Sequence, residues 1–86
     1  MRVLIADDER LARQRLASLL QKESDIQIVG EVSDGVAAAE LMKQQSVDVA
    51  FLDIAMPGQT GLEALEGLNK TPMPLIVFIT AFEQYA

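Results

Sequence analysis

Short apolar runs alternate along the chain with longer segments in which apolar residues recur at helical spacing. Runs that are apolar without alternation are typical of strands buried on both faces of a parallel sheet. The predicted strands cover residues 2–6, 26–32, 49–53 and 75–79. A predicted helix follows each of the first three strands: one runs through Lys22, one covers residues 36–45, and one begins at Thr60, which forms a capping box with Glu63. The second helix follows a turn and N-cap cluster, Ser33-Asp34-Gly35. The first helix is amphipathic: its apolar side carries Leu11, Ala12, Leu16, Leu19 and Leu20, and its other side carries Arg10, Arg13, Gln14 and Gln21.

Strands that alternate with helices predict parallel strands joined by right-handed crossovers. The expected fold is therefore α/β, a doubly wound parallel sheet with helices on both faces. In such sheets ligands bind at the carboxyl ends of the strands, where the strand order reverses. The polar residues at those ends are Asp7 and Asp8 after the first strand, Asp53 on the third and Thr80 after the fourth. They converge if the strand order is 2-1-3-4.

Length and composition narrow the chemistry that is available. The 86 residues predict a single domain, and the absence of cysteine and histidine excludes disulfides, Cys/His nucleophiles and zinc sites built on those ligands. The net charge of −6 argues against nucleic-acid binding by this segment, because its surface would repel a phosphate backbone. The first apolar run is too short for a signal peptide or a membrane span, which predicts a cytoplasmic protein without membrane contact.

Three carboxylates at one cleft repel one another unless a cation compensates them. Oxygen ligands without nitrogen or sulfur favour a hard divalent ion, and a site that also accepts phosphate oxygens favours Mg²⁺. Asp53 is then a candidate nucleophile toward a phosphoryl donor, with the Thr80 hydroxyl offered to a phosphate oxygen. Taken singly, each residue also fits a simpler role: Asp7, Asp8 and Thr80 as helix caps, and Asp53 as a turn residue.

With these residues in place, the chain resembles the receiver domain of two-component response regulators. The resemblance spans the whole chain and rests on three motifs: Val-Leu-Ile-Ala-Asp-Asp-Glu at 3–9, Phe-Leu-Asp-Ile-Ala-Met-Pro-Gly-Gln-Thr-Gly at 51–61, and Ile-Thr-Ala at 79–81. Residues 80–86 are similar to the start of the fourth helix in LytTR-type regulators, in which an all-β DNA-binding domain follows. The resemblance implies a flavodoxin-like receiver fold over residues 1–86, with strand order 2-1-3-4.

The resemblance also implies a role for each site residue. Asp53 is expected to be the phosphoacceptor, which takes a phosphoryl group from a histidine kinase. Asp7, Asp8, Asp53 and the backbone carbonyl of Ala55 are expected to form the Mg²⁺ pocket, and Thr80 to be the switch hydroxyl. Such a domain is a phosphoryl acceptor and not an enzyme: its only chemistry is its own phosphorylation and dephosphorylation, which switch a downstream, DNA-binding output outside this segment.

The chain departs from the family at its C-terminal end. The family has a fifth strand, whose lysine pairs with the phosphoryl group, and a fifth helix used for dimer formation. This chain stops before both, so we expect a receiver that is incomplete at its C-terminus. The outer edge of the apolar strand at residues 75–79 then has no partner in this chain, which predicts self-association.

Two other functions stay open from the residues alone. An aspartate-nucleophile phosphatase on a similar sheet would carry a second Asp two residues after the first, but Ala55 occupies that position. A non-catalytic protein-interaction module would leave the acidic cluster merely solvated. Titration with Mg²⁺ separates this last alternative from a phosphoacceptor.

Overall fold

The computed structural model describes residues 1–54, 56, 61–67 and 73–79. Its elements, in chain order, are β1 (Arg2–Ala6), α1 (Arg10–Leu20), β2 (Gln27–Val32), α2 (Gly35–Gln44), β3 (Val49–Asp53), α3 (Gly61–Glu66) and β4 (Leu75–Ile79). The predicted alternation of strands and helices is confirmed, although α1 ends at Leu20 and not at Lys22. The capping box expected at Thr60 lies outside the described residues.

The strands form one parallel sheet in the order β2-β1-β3-β4. β1 therefore lies in the middle of the described sheet, between β2 and β3, and the chain moves to the other side of β1 after α2. This reversal creates a crevice at the carboxyl ends of β1 and β3. The predicted fold class and strand order are both confirmed.

Two hydrophobic clusters cover the two faces of the sheet, because successive side chains of a strand point to opposite faces. On one face, Leu4 and Ala6 of β1 pack with Ala38 and Met42 of α2. On the other face, Val3 and Ile5 pack with Ala17 of α1. The sheet is thus doubly wound, which explains why the β1 sequence is apolar without alternation.

The apolar stripe of α1 is narrower than its sequence predicts. Leu16 and Leu20 pack beside Ala17 against the sheet, but Leu11 and Leu19 are 67% and 60% exposed. Helical periodicity places all of these residues on one broad side, whereas a helix on a sheet buries only the stripe that faces the strands. The side of α1 that carries Leu19 borders an open groove of about 540 Å³ between this helix and the end of the sheet formed by β3 and β4.

Polar contacts fix the connection between α2 and β3 to the start of β1. The Arg2 guanidinium donates to the Ser46 carbonyl oxygen through Nε at 2.6 Å and to Gln45 Oε1 through Nη2 at 2.9 Å. The Arg2 backbone N–H donates to Asp48 Oδ2 at 2.7 Å. These contacts hold the chain just before β3 against β1, at the end of the sheet opposite the crevice.

The described helices are short, and α3 is the shortest of them. Its Leu65 is half-buried and packs against the cluster formed by β1 and α2.

No helix in the described part of the chain has the length and apolar character needed to cross a membrane.

β4 forms one edge of the described sheet. Leu75, Val77 and Phe78 are 64%, 37% and 37% exposed, and no described strand pairs with the outer side of β4. The sequence of β4 is wholly apolar and predicts a central strand, so its exposure is unusual for a strand of this composition.

Asp34 caps α2, as its position in the Ser33-Asp34-Gly35 cluster predicts. Its Oδ1 accepts the Ala37 backbone N–H at 2.7 Å. We expect Asp34→Ala to lower the free energy of unfolding by about 1 kcal/mol, because the first turn of the helix loses an acceptor. Urea unfolding followed by circular dichroism measures the change. Asp34→Asn keeps an acceptor oxygen and should retain most of the stability; an equal loss in both variants would contradict the capping role.

Candidate functional site

The acidic residues predicted to converge do meet at the carboxyl ends of β1 and β3. The two strands are parallel neighbours with Ala6 beside Leu52, so Asp7 and Asp53 follow at the same height. Asp8 is the next residue along the chain. Each of the three offers one carboxylate oxygen, and these oxygens lie within 4.8 Å of one another.

The three carboxylates differ in their exposure to solvent. Asp7 is 5% exposed, the one buried charged residue in the described core, whereas Asp53 is half-buried and Asp8 is exposed. Asp7 is also fixed by hydrogen bonds: its backbone N–H donates to the Val32 carbonyl oxygen at 3.1 Å, and its Oδ1 accepts the Glu9 N–H at 2.9 Å. Asp7 is therefore the buried, fixed carboxylate of the site, and Asp8 is the carboxylate at the protein surface.

The start of α1 differs from the helix cap that Asp7-Asp8-Glu9 predicts. Glu9 is the N-cap residue, but its side chain makes no capping hydrogen bond, and the first turn of α1 contains no acidic residue. The Asp7 carboxylate binds the Glu9 N–H, which leads into the helix. Asp7 is thus both a support for the turn and a member of the acidic cluster, so the two interpretations of this residue are compatible.

Arg13 contacts the same turn, and the amino-acid sequence does not predict this contact. Helical spacing places Arg13 on the polar side of α1, yet it is half-buried and its Nη1 donates to the Asp7 carbonyl oxygen at 2.7 Å. An arginine in the first turn or two of a helix that follows an acidic loop is the only signal that could have pointed to it. The pattern alone does not distinguish Arg13 from Arg10 or Arg15.

The donor set fits a hard divalent cation that keeps some of its water. Two oxygens bound to one Mg²⁺ lie at most about 4.2 Å apart, twice the usual bond length. Carboxylate oxygens within 4.8 Å of one another suit an ion that binds one or two of them directly and completes its coordination with water. The described part of the cluster contains only oxygen donors, which is the chemistry that Mg²⁺ prefers.

Two predicted site residues, Ala55 and Thr80, lie outside the described residues. The Ala55 carbonyl as a metal ligand and the Thr80 hydroxyl as a switch therefore stay predictions. The strand that precedes Thr80 does end at the site: Ile79 pairs with Asp53, and its carbonyl oxygen accepts the Ile54 N–H at 3.3 Å.

Comparison with known proteins identifies the family. The family model of the response regulator receiver domain matches residues 3–86. The chain belongs to this family. Transcriptional regulatory protein BtsR of Escherichia coli strain K12 is 49% identical to the chain over 86 residues, which are 100% of this chain and 36% of BtsR. The chain therefore spans about a third of the length of this relative.

Solved receiver structures have the same fold. The response regulatory domain of protein mrkE from Klebsiella pneumoniae superposes with a TM-score of 0.86 at 36% identity, covering 99% of this chain and 70% of that one. RcsB from Salmonella enterica serovar Typhimurium, bound to a promoter in the presence of the phosphomimetic BeF3⁻, superposes with a TM-score of 0.80 at 25% identity, covering 93% and 41%. The flavodoxin-like receiver fold implied by the sequence motifs is confirmed.

The crowding of the carboxylates predicts that this site destabilises the metal-free fold. Asp8→Asn removes one charge from the cluster while keeping the shape of the side chain. In buffer with EDTA we expect the melting temperature of this variant to exceed that of the parent by a few degrees, because mutual repulsion falls. Thermal unfolding followed by circular dichroism tests this.

Glu23→Gln is the matched control, because Glu23 is exposed and outside the cluster and the net charge changes by the same amount. It should leave the melting temperature nearly unchanged. Equal increases in the two variants would mean that total charge, and not the cluster, limits stability.

Proposed function

We propose that this receiver domain accepts a phosphoryl group on Asp53 in a Mg²⁺-dependent reaction and thereby switches a downstream output. The observation that carries the proposal is the convergence of Asp7, Asp8 and Asp53, with oxygens within 4.8 Å, at the strand ends of a receiver fold. Receiver domains of this family are phosphoryl acceptors and not enzymes in the usual sense. The aspartate-nucleophile phosphatase and the non-catalytic protein-interaction module are less well supported. Neither accounts for an acidic cluster at the strand ends of a receiver domain.

Asp53 is the acceptor in this proposal because of its place on β3. It is half-buried at the end of β3, whose other residues are buried or half-buried, so packing of the strand holds the Asp53 backbone in one place. A carboxylate oxygen of Asp53 attacks the phosphorus atom, and an O–P bond forms as the bond from phosphorus to the donor breaks. The electron pair of that bond leaves with the donor, which is the imidazole nitrogen when the donor is a phosphohistidine, and the product is an acyl phosphate.

Asp7, Asp8 and Asp53 are the described residues that would hold Mg²⁺, with the Ala55 carbonyl as the further ligand predicted from the sequence. The ion supplies positive charge that stabilises the transferring phosphoryl group. Asp7 is fixed by its bond to the Glu9 N–H and is the least exposed of the three, so we assign it the contact through water. Asp8 and Asp53 are then the direct ligands.

The proposed partners follow from the family. A histidine kinase is the proposed donor, and a DNA-binding output is supported by BtsR, a transcriptional regulatory protein, and by RcsB, whose structure contains a promoter. Assignment to the LytTR type stays a proposal drawn from the motifs, and a cytoplasmic location stays a proposal as well. The predicted absence of direct nucleic-acid binding by residues 1–86 is likewise retained.

Phosphorylation of purified protein tests the acceptor. With a small phosphoryl donor and Mg²⁺, intact-mass spectrometry should detect the addition of one phosphoryl group to the parent and none to Asp53→Asn. Thr80→Ala should react more slowly, because the proposed switch hydroxyl is lost. EDTA should abolish the reaction in every variant.

Asp25→Asn serves as the control, because Asp25 is exposed and precedes β2, away from the carboxyl ends of the strands. It should be phosphorylated as fast as the parent. Label on Asp7 or Asp8 in place of Asp53, located by peptide mapping, would contradict the proposal.

We also propose that the 86-residue chain self-associates through β4. The strand is apolar throughout, its outer side meets no described strand, and three of its large side chains are exposed. Unpaired backbone groups beside apolar side chains favour pairing with another chain.

Sedimentation velocity over a wide concentration range tests self-association. The weight-average mass should rise above that of a monomer with concentration, and Val77→Lys should suppress the rise, because a charged side chain at an edge opposes pairing. Gln44→Lys introduces the same charge at an exposed position at the end of α2 and should not suppress it. A monomer at all concentrations, with one sharp unfolding transition, would overturn this proposal.

A further inference from the structure

Asp7 makes three hydrogen bonds at the turn between β1 and α1. Its backbone N–H donates to the Val32 carbonyl oxygen of β2, its carboxylate accepts the Glu9 N–H, and its carbonyl oxygen accepts Arg13 Nη1. The first two contacts fix the position of Asp7 and the start of α1. The third acts on the next peptide group, which connects Asp7 to Asp8.

A peptide group is planar, so the Asp7 carbonyl oxygen and the Asp8 backbone nitrogen share one rigid plane. Holding the oxygen at 2.7 Å from Arg13 Nη1 restricts rotation of that plane about its neighbouring bonds. The direction in which the Asp8 side chain leaves the backbone is thereby restricted as well. Asp8 is the exposed member of the cluster, and the burial that fixes Asp7 is not available to it.

We propose that Arg13 is a positioning residue of the acidic cluster, which holds the peptide between Asp7 and Asp8 so that the Asp8 carboxylate faces Asp53. The proposal rests on the proposed function, because this orientation of the Asp8 carboxylate serves to bind the Mg²⁺ that phosphorylation of Asp53 requires. Arg13 suits this role since its guanidinium is always charged, and a charged donor makes a stronger hydrogen bond to a carbonyl oxygen than a neutral one.

The sign of the effect on Mg²⁺ affinity separates positioning from simple electrostatics. Arg13 is a cation near the proposed cation site, so by charge alone its removal would tighten Mg²⁺ binding. Loss of a hydrogen bond that orients a metal ligand has the opposite effect and typically weakens metal binding by about tenfold or more. The two explanations therefore predict changes in opposite directions.

The test compares three variants of the 86-residue chain by ¹⁵N NMR, first in EDTA and then during a Mg²⁺ titration. Arg13→Met keeps the apolar part of the side chain, which is half-buried, but removes the donor. Arg13→Lys keeps a charged donor at this position, which can bind the Asp7 carbonyl oxygen. Arg10→Met removes the same charge from the exposed first residue of α1 and is the matched control.

In EDTA, Arg13→Met should shift the Asp8 amide resonance and raise the hydrogen-exchange rate of the Glu9 amide, while the amides of β1 and β3 stay unchanged. In the titration its Mg²⁺ dissociation constant should rise by about tenfold. Arg13→Lys should recover most of the affinity, and Arg10→Met should bind as tightly as the parent or more tightly.

Unchanged Asp8 and Glu9 amides in Arg13→Met, or tighter Mg²⁺ binding by it, would overturn the positioning role. A parent protein that shows no response to Mg²⁺, together with altered amides in Arg13→Met, would overturn the metal dependence in the proposed function and still support the hold of Arg13 on the turn. The two proposals can therefore fail separately.

Discussion

The parallel pairing of β1 with β3 is the constraint on which the site depends. Because Ala6 lies beside Leu52, the next residue along each chain segment lies at the same height, and both of these residues, Asp7 after β1 and Asp53 at the end of β3, are carboxylates. A shift of one residue would reverse the faces of β3 and separate Asp53 from Asp7. It would also move Ala50 and Leu52 from the face that packs against α2 to the face that packs against α1. The hydrophobic core and the acidic cluster are therefore specified by the same register of β1 and β3.

Repulsion among the carboxylates of the cluster is expected to oppose folding, and nearby contacts compensate for it. Asp7 is a buried acidic residue, and burial of a polar group is unfavourable unless hydrogen bonds satisfy it. The Glu9 N–H meets that need at 2.9 Å, and Arg13 brings a positive charge to the adjacent carbonyl oxygen. A bound cation would relieve the repulsion that remains, in agreement with the proposed function. Functional sites commonly retain such local conflicts, and the surrounding packing supplies the stability.

Most of the fold could be predicted from the sequence because each element has a strong local signal. The buried strands are continuous apolar runs, Asp34 is an N-cap residue in a turn cluster, and the acidic residues fall directly after strands. The predictions that failed concern which side of an element faces which neighbour. Periodicity placed Leu11 and Leu19 on the buried side of α1, where both are largely exposed, and it placed Arg13 on the polar side, where it is half-buried against the acidic turn. Helical spacing defines a side of the helix but not the width of the surface that covers it.

The sequence by itself determined the order and type of the elements, the oxygen-only chemistry of the described site, and the family, because these depend on residue types and their spacing along the chain. Only the tertiary structure decided the distances among Asp7, Asp8 and Asp53 and the contact from Arg13. It also explains Gly30 of β2, where an added Cβ would overlap the Leu41 side chain of α2. Each of these features joins residues that belong to different elements. Their relation is set by packing and strand register, which a local pattern in the chain does not contain.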